Sequence, residues 1–95
     1  MRYAIAYVSS KNSSISEAEV HTVLKNSCNY NNKNDITGLL VYSEGNFFQL
    51  IEGEENIIKE LYYNTIINDP RHKNIISFVE TEIHNSAFDG FYCDL

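Results

Sequence analysis

Between Ile36 and Gly53 apolar residues run almost without a break, as ITGLLVY before Ser43-Glu44-Gly45 and as NFFQLIEG after it. Strand periodicity puts Phe47, Gln49 and Ile51 on one face and Phe48 and Leu50 on the other, which predicts a hairpin with a tight turn at Glu44-Gly45. Gln49 is the exception in this pattern, a neutral amide where the alternation asks for a large apolar group. Burying an amide without partners costs roughly 1–3 kcal/mol. Its donors and acceptor therefore require polar company inside the layer.

The same periodicities mark the other elements. Tyr3, Ile5 and Tyr7 alternate with Ala4, Ala6 and Val8, predicting a first strand from Arg2 to Val8 with both faces covered. Ser14 followed by Glu17 has the spacing of a capping box, and Val20, Val23, Leu24 and Cys28 recur behind it at helical intervals. Continuing that stripe through Ser27 reaches Asn31, at the C-terminal end of the buried face. The polar cluster from Asn29 to Asp35 reads as the loop into the hairpin. Glu54 to Ile67 predicts a second helix with Ile57, Ile58, Leu61 and Thr65 on one side, stopped by Asn68-Asp69-Pro70. A β-branched run from Asn74 to Glu82 and an alternating one from Gly90 to Leu95 complete the order βαββαββ. Right-handed crossovers then place both helices on one face of a mixed five-stranded sheet, an α+β ferredoxin-like sandwich. Its other face carries Ala4, Ala6, Val8, Phe48 and Leu50, too apolar to stand in water, so a cover from further chain or a partner subunit is expected.

Composition narrows the function. Ninety-five residues suit one domain with a modest core, which oligomerisation or a bound ligand would help to stabilise. No apolar stretch reaches the ~18 residues of a membrane span, and the N-terminus lacks the layout of a signal peptide. A soluble, cytoplasmic protein is expected. The net charge of −6, with only seven Lys and Arg, disfavours nucleic acid. His21, His72 and His84 share no metal-ligand spacing, and Cys28 and Cys93 form no CxxC pair, so neither a metal site nor a disulfide is expected. No glycine-rich loop opens a helix, which argues against a phosphoryl- or acyl-transfer enzyme. Gly38 and Gly45 read as close-packing and turn residues.

Tyr7, Asn31 and Gln49 come from three different elements yet all face the helix-bearing side of the sheet. Two readings are open on pattern alone. Tyr7 and Gln49 satisfy each other as core polar groups, or the three converge on a site.

The wording around them bears on the choice. Tyr-x-Ser at Tyr7 to Ser9, Asn31 placed before Gly38, ITGLLVY, GNFFQLIEG and Asp-Pro-Arg-His at Asp69 to His72 resemble, in order and over essentially the whole chain, the BLUF family of blue-light sensors that use flavin. The resemblance implies a single sensor domain spanning residues 1–95, without C-terminal helices or an effector domain, that is not itself an enzyme. It implies FAD held non-covalently between the two helices. Tyr7 would be the electron and proton donor to the excited flavin, and Gln49 would link Tyr7 to the flavin N5 and C4 carbonyl. Asn31 would hold the C4 carbonyl and N3 edge, with Asn32 a second polar contact and Asp69, Arg71 and His72 near the pyrimidine end. A phenol gives up an electron and a proton reversibly, and an amide that rotates or changes tautomer rewires hydrogen bonds without moving a charge. Signalling would pass to an effector or a second copy through the free sheet face.

Three positions depart from the family pattern. Phe91 and Cys93 stand where the family usually offers a Trp and a Met, and Ser86 stands where it often carries an Arg. Phe91 lacks the indole N–H, while Cys93 reads as a smaller core residue or a side donor of electrons to the flavin. These substitutions keep a cofactor-free ferredoxin-like interaction module as the competing reading.

Overall fold

The computed structural model describes the backbone of residues 1–94 and the side chains of residues 1–93. The elements are β1 (Arg2–Lys11), α1 (Glu17–Lys33), β2 (Thr37–Ser43), β3 (Asn46–Glu54), α2 (Glu55–Glu60) continuing into a π-helical segment (Leu61–Ile66), β4 (His72–Ile83) and β5 (Phe91–Asp94). Leu95, the expected end of the last strand, lies outside the described residues. Sheet order is β4-β1-β3-β2-β5, with β2 and β5 parallel and every other pair antiparallel. Two helices on one face of this mixed sheet make the expected ferredoxin-like sandwich. Its core forms where Ile5, Ile36 and Ile51 meet Val20 of α1 and Ile58 of α2.

The hairpin is as the alternation requires. Glu44 and Gly45 have φ of 49° and 83°, the paired positive values of a type I′ turn whose twist matches that of the strands it joins. Gly38 has φ of 140°, and a Cβ there would sit 1.9 Å from the Leu50 carbonyl oxygen, so only glycine lets β2 approach β3 so closely.

Helix boundaries differ from expectation. The capping box of α1 is Ser16 with Glu19, two residues beyond the Ser14/Glu17 pair of identical spacing. Burial separates the two frames. With Ser16 as cap, the flanking positions of a hydrophobic staple are Ile15 and Val20, both in the core, whereas the earlier frame would offer Ser13 and Ala18. Asn29 to Lys33 belong to α1 and are not a loop. The chain leaves the helix only at Asn34, where the Asn34 and Ile36 amides both donate to the Asn31 carbonyl. In the second helix the buried stripe is Ile58, Tyr62 and Ile66, and Ile57 points to solvent. The ladder widens to the i→i+5 pattern, with Ile67 N–H donating to Tyr62 C=O at 3.0 Å. β1 and β4 are both longer than expected, because Ser10 and Lys11 pair with Lys73 and His72 beyond two register shifts.

On the helix-free face Val8, Ile76, Phe78 and Tyr92 are exposed, and the Phe48 and Phe78 rings pack at 5.8 Å between centroids. One end of this face is closed by the loop before β5. The buried Glu52 carboxylate accepts from Thr37 Oγ1 (2.8 Å) and from the Ala87 (2.7 Å) and Phe88 (3.3 Å) amides, and Ser86 Oγ accepts from the Arg2 guanidinium.

A second difference from expectation is covalent. Cys28 of α1 and Cys93 of β5 form a disulfide with their Cα atoms 6.2 Å apart. Their sequence separation of 65 residues hides a proximity that exists only once the last strand is laid beside β2 under α1. A cross-link of that span, 65 residues, restricts the unfolded chain by about 4 kcal/mol. Reduction is therefore expected to lower the guanidinium midpoint of wild-type protein, with Cys93→Ser at the lower midpoint whether or not reductant is present. Equal midpoints for oxidised and reduced wild type would show that the cross-link adds no stability.

Candidate functional site

Tyr7 and Gln49 are a direct cross-strand pair between β1 and β3, on the helix side of the sheet. They are only 4% and 5% exposed, and the Tyr7 hydroxyl donates to Gln49 Oε1. The two polar groups do meet in the core. Using Oε1 as acceptor leaves the Gln49 NH2 group without a protein partner among the described residues, on the wall of a cavity of about 370 Å³. Burial pushes the Tyr7 phenol well above its ordinary value, and the nearby Tyr62 and Asp69 push it further, so Tyr7 is held as a neutral donor.

The cavity lies between α1 and the π-helical segment, above β1, β2 and β3. Val23, Ser27 and Asn31 form one wall at i, i+4 spacing along α1, flanked by Asn26 and Tyr30. Asn31 is 3% exposed. Its backbone carbonyl ends the helix, and its side-chain amide faces the cavity with no hydrogen bond among the described residues. Leu40, Phe47 and Gln49 make the floor. Leu61, Thr65 and Ile66 make the opposite wall, with Tyr62 buried beneath the helix against Tyr7.

The turn after this segment supplies the rim. Asp69 accepts from Arg71 through its backbone N–H (2.9 Å), Nε (2.9 Å) and Nη2 (2.6 Å). Burial pushes the Asp69 carboxyl up, but these bonds outweigh it and hold the group below the usual carboxylate value. His72 donates from Nε2 to the Ile66 carbonyl at 2.7 Å, and its Nδ1 pairs with Ser9 Oγ at 2.7 Å. It thus ties the helix end to β1 while its ring meets Tyr7 and Phe47 edge-on. Asp69, Arg71 and His72 all line the cavity.

Three expected residues stand elsewhere. Asn32 faces away from the cavity, with its amide engaged on β5: Nδ2 donates to the Phe91 carbonyl at 3.0 Å and Oδ1 accepts from the Phe91 amide at 2.9 Å. Phe91 is buried in the core beside Gly38. Cys93 is bonded to Cys28, so it has no free thiol for electron donation. It lies across from Leu40, which in turn lies across from Gln49, so the three occupy one row over β5, β2 and β3. Asn26, Tyr30 and Thr65 line the cavity without having been anticipated as site residues. Their signals were adjacency to Ser27 and Asn31 for Asn26 and Tyr30, and for Thr65 its place on one helix face with Leu61.

The chain matches the BLUF family, sensors of blue-light using FAD, over residues 3–93. It is 43% identical over 49 residues to the blue light- and temperature-regulated antirepressor BluF of Escherichia coli K12, spanning 52% of this chain and 12% of that protein. Its fold superposes on a bacterial light-regulated adenylyl cyclase with a TM-score of 0.87 and 31% identity, covering 99% of this chain and 28% of the other. The photo-activated state of BlsA superposes with a TM-score of 0.87 and 27% identity over 100% of this chain and 71% of that one. The chain thus corresponds to a small part of the antirepressor and of the cyclase, the part that these proteins and BlsA share. A tyrosine–glutamine pair set at the floor of an interhelical cavity, on a sheet of this order, belongs with that match: the chain is a member of the BLUF family of flavin-using blue-light sensors.

Proposed function

We propose that the cavity between α1 and the π-helical segment holds the isoalloxazine ring of FAD non-covalently, and that Tyr7 and Gln49 turn absorption of blue light into a rearranged hydrogen-bond network. The observation that carries this reading is the Tyr7–Gln49 bond, with the remaining Gln49 donor and the whole Asn31 amide left facing one cavity. A Gln49 NH2 group and an Asn31 carboxamide, both without protein partners among the described residues, fit the edge of a flavin ring, which presents carbonyl and ring-nitrogen groups to donors and acceptors alike. Leu40, Leu61 and Ile66 supply the apolar surface that a ring face requires.

When bound, the flavin absorbs blue light and becomes a one-electron oxidant. The chain does the rest. Tyr7 is the nearest phenol to the Gln49 amide and supplies an electron, while Gln49 Oε1 is placed to receive its proton. Asn31 fixes the ring edge from α1, and Asp69, Arg71 and His72 close the rim. Asp69 and Arg71 neutralise each other there, and His72 keeps the rim tied to β1. Asn32 acts from behind, setting the position of β5. Rotation or tautomerisation of Gln49 then shifts the row formed with Leu40 and Cys93, which carries the change to β5 and to Phe91.

The wider reading is a cytoplasmic sensor unit that hands its signal to an effector domain or a second copy through the helix-free face. Named activities of the relatives, antirepression and cyclic-nucleotide synthesis, illustrate the kind of effector that such a unit controls.

Purified protein is expected to bind FAD in preference to FMN and to show a reversible red shift of the flavin band under blue light. Tyr7→Phe and Gln49→Leu are each expected to abolish that shift while keeping the flavin. A normal shift in either variant refutes the assignment, and protein that takes up no flavin leaves a cofactor-free interaction module as the better reading. Stability adds an independent check. Tyr7 ionises above its ordinary value of 10.0 in the fold, so its contribution is fully present below pH 10.0 and is lost as pH rises from there toward the folded value. The thermal midpoint is expected to fall above that pH more steeply in wild type than in Tyr7→Phe. Equal slopes would assign the loss to Tyr42, Tyr63 and Tyr92, whose phenols are also raised.

A further inference from the structure

Three phenols stand in line between the cavity and the surface. The rings of Tyr7 and Tyr62, both buried, have centroids 5.7 Å apart. Tyr62 and Tyr63, consecutive in the π-helical segment, have centroids 5.0 Å apart at an interplanar angle of 82°. Tyr63 is 47% exposed, and its hydroxyl donates to Glu80 Oε1 on β4. The other oxygen of Glu80 accepts from Ser77 Oγ at 2.7 Å, which fixes the carboxylate.

The two ends of this line differ in what holds the phenolic proton. At Tyr7 it is a neutral amide oxygen, and at Tyr63 it is a carboxylate. A phenol that loses an electron becomes a strong acid, so oxidation is easiest where a base already accepts its proton. An electron vacancy made at Tyr7 therefore runs downhill to Tyr63. In the dark the line is at rest. The hydrogen bond to Glu80 pushes the Tyr63 phenol up to about 12, and the bonds from Tyr63 and Ser77 hold Glu80 below the usual carboxylate value, which keeps the proton on Tyr63.

We propose that Tyr62 and Tyr63 form a relay that drains oxidised Tyr7 to the protein surface, so that a fraction of light events ends as a Tyr63 radical instead of a switched Gln49 network. The relay rests on the reading of Tyr7 as the residue oxidised by light. One electron passes from Tyr63 through Tyr62 and Tyr7 to the photo-excited flavin. One proton passes from the Tyr63 hydroxyl to Glu80, breaking the phenolic O–H and forming a carboxylic O–H. Tyr7 and Tyr62 end as the neutral phenols they began as, the flavin gains one electron, and the negative charge lost by Glu80 equals the one gained there. Such a branch limits damage at the cavity and sets a ceiling on the yield of the sensing reaction. Tyr30 is a competing end point, since it lines the cavity and is 55% exposed.

The test uses the full chain loaded with FAD, kept under steady blue light with a nitroso spin trap, followed by peptide mass mapping of the adducts. The red shift is recorded on the same samples. Wild type is expected to carry the adduct on Tyr63. Tyr63→Phe is expected to lose that adduct with the shift retained at equal or greater yield, and Tyr62→Phe and Glu80→Gln to lower the adduct toward the level of samples kept in the dark. An adduct on Tyr30 or Tyr7 in place of Tyr63, no adduct, or an undiminished Tyr63 adduct in Tyr62→Phe would overturn the relay. If the wild-type shift is present in those cases, the proposed function stands and the relay alone falls. If wild type binds no flavin or shows no shift, the function falls and the relay with it.

Discussion

The hydrogen bond from Tyr7 to Gln49 is the constraint around which the rest of the molecule is arranged. A phenol and a carboxamide, both buried, face each other on neighbouring strands inside an apolar layer. Leaving either unsatisfied would cost about 1–3 kcal/mol. The pairing also acts on register. A slip of one residue in β3 against β1 would turn Gln49 to the opposite face and set Phe48 or Leu50 across from Tyr7. The type I′ turn at Glu44-Gly45 and the close approach at Gly38 hold β2 and β3 in register, which sets Leu40 across from Gln49 on its other side. The irregularities needed to extend the sheet past Tyr7 are confined to the pairing with β4.

Above that pair, the two helices form walls with different construction. α1 is a regular helix, stapled at Ile15 and Val20 and ended by the doubly used Asn31 carbonyl, so its cavity-facing row keeps strict i, i+4 spacing. The opposite wall is a π-helical segment, with Tyr62 beneath the helix and Leu61, Thr65 and Ile66 beside the cavity. π-helical turns give up hydrogen-bond geometry and occur mostly where function requires a side chain to be re-aimed. Here the segment carries an aromatic ring against Tyr7 and apolar surface along the cavity.

Much of this was legible in the sequence, and what was not has physical reasons. Alternation around Gln49 identified the hairpin, its turn and the inward amide, because strand burial has a period of two and leaves little ambiguity. Asn31 could be placed by extending the Val20–Leu24 stripe. The cap could not, because Ser14/Glu17 and Ser16/Glu19 have equal spacing and only the burial of Ile15 separates them. The π-helical segment was invisible, since Ile58, Tyr62 and Ile66 are also spaced as an α-helix would have them. Asn32 looked like a site residue by its position next to Asn31, but adjacent helical positions point about 100° apart, and that angle turns it onto Phe91. The Cys28–Cys93 bond depends on strand order, which neither cysteine's neighbours encode.

The two hydrogen bonds of Asn32 have a consequence for how copies of this molecule can meet. β5 is the outer strand of the sheet, and an outer strand is a template on which another chain can extend the sheet without limit. At Phe91 both backbone groups are already occupied by a side-chain amide that mimics a peptide unit. On the opposite border β4 is irregular, and its bulges bend the strand away from flat pairing. With its borders blunted, the sheet offers its broad apolar surface around Phe48 and Phe78 as the open direction for contact. Two identical faces meeting in this way close on each other, whereas pairing at a strand border would extend the sheet.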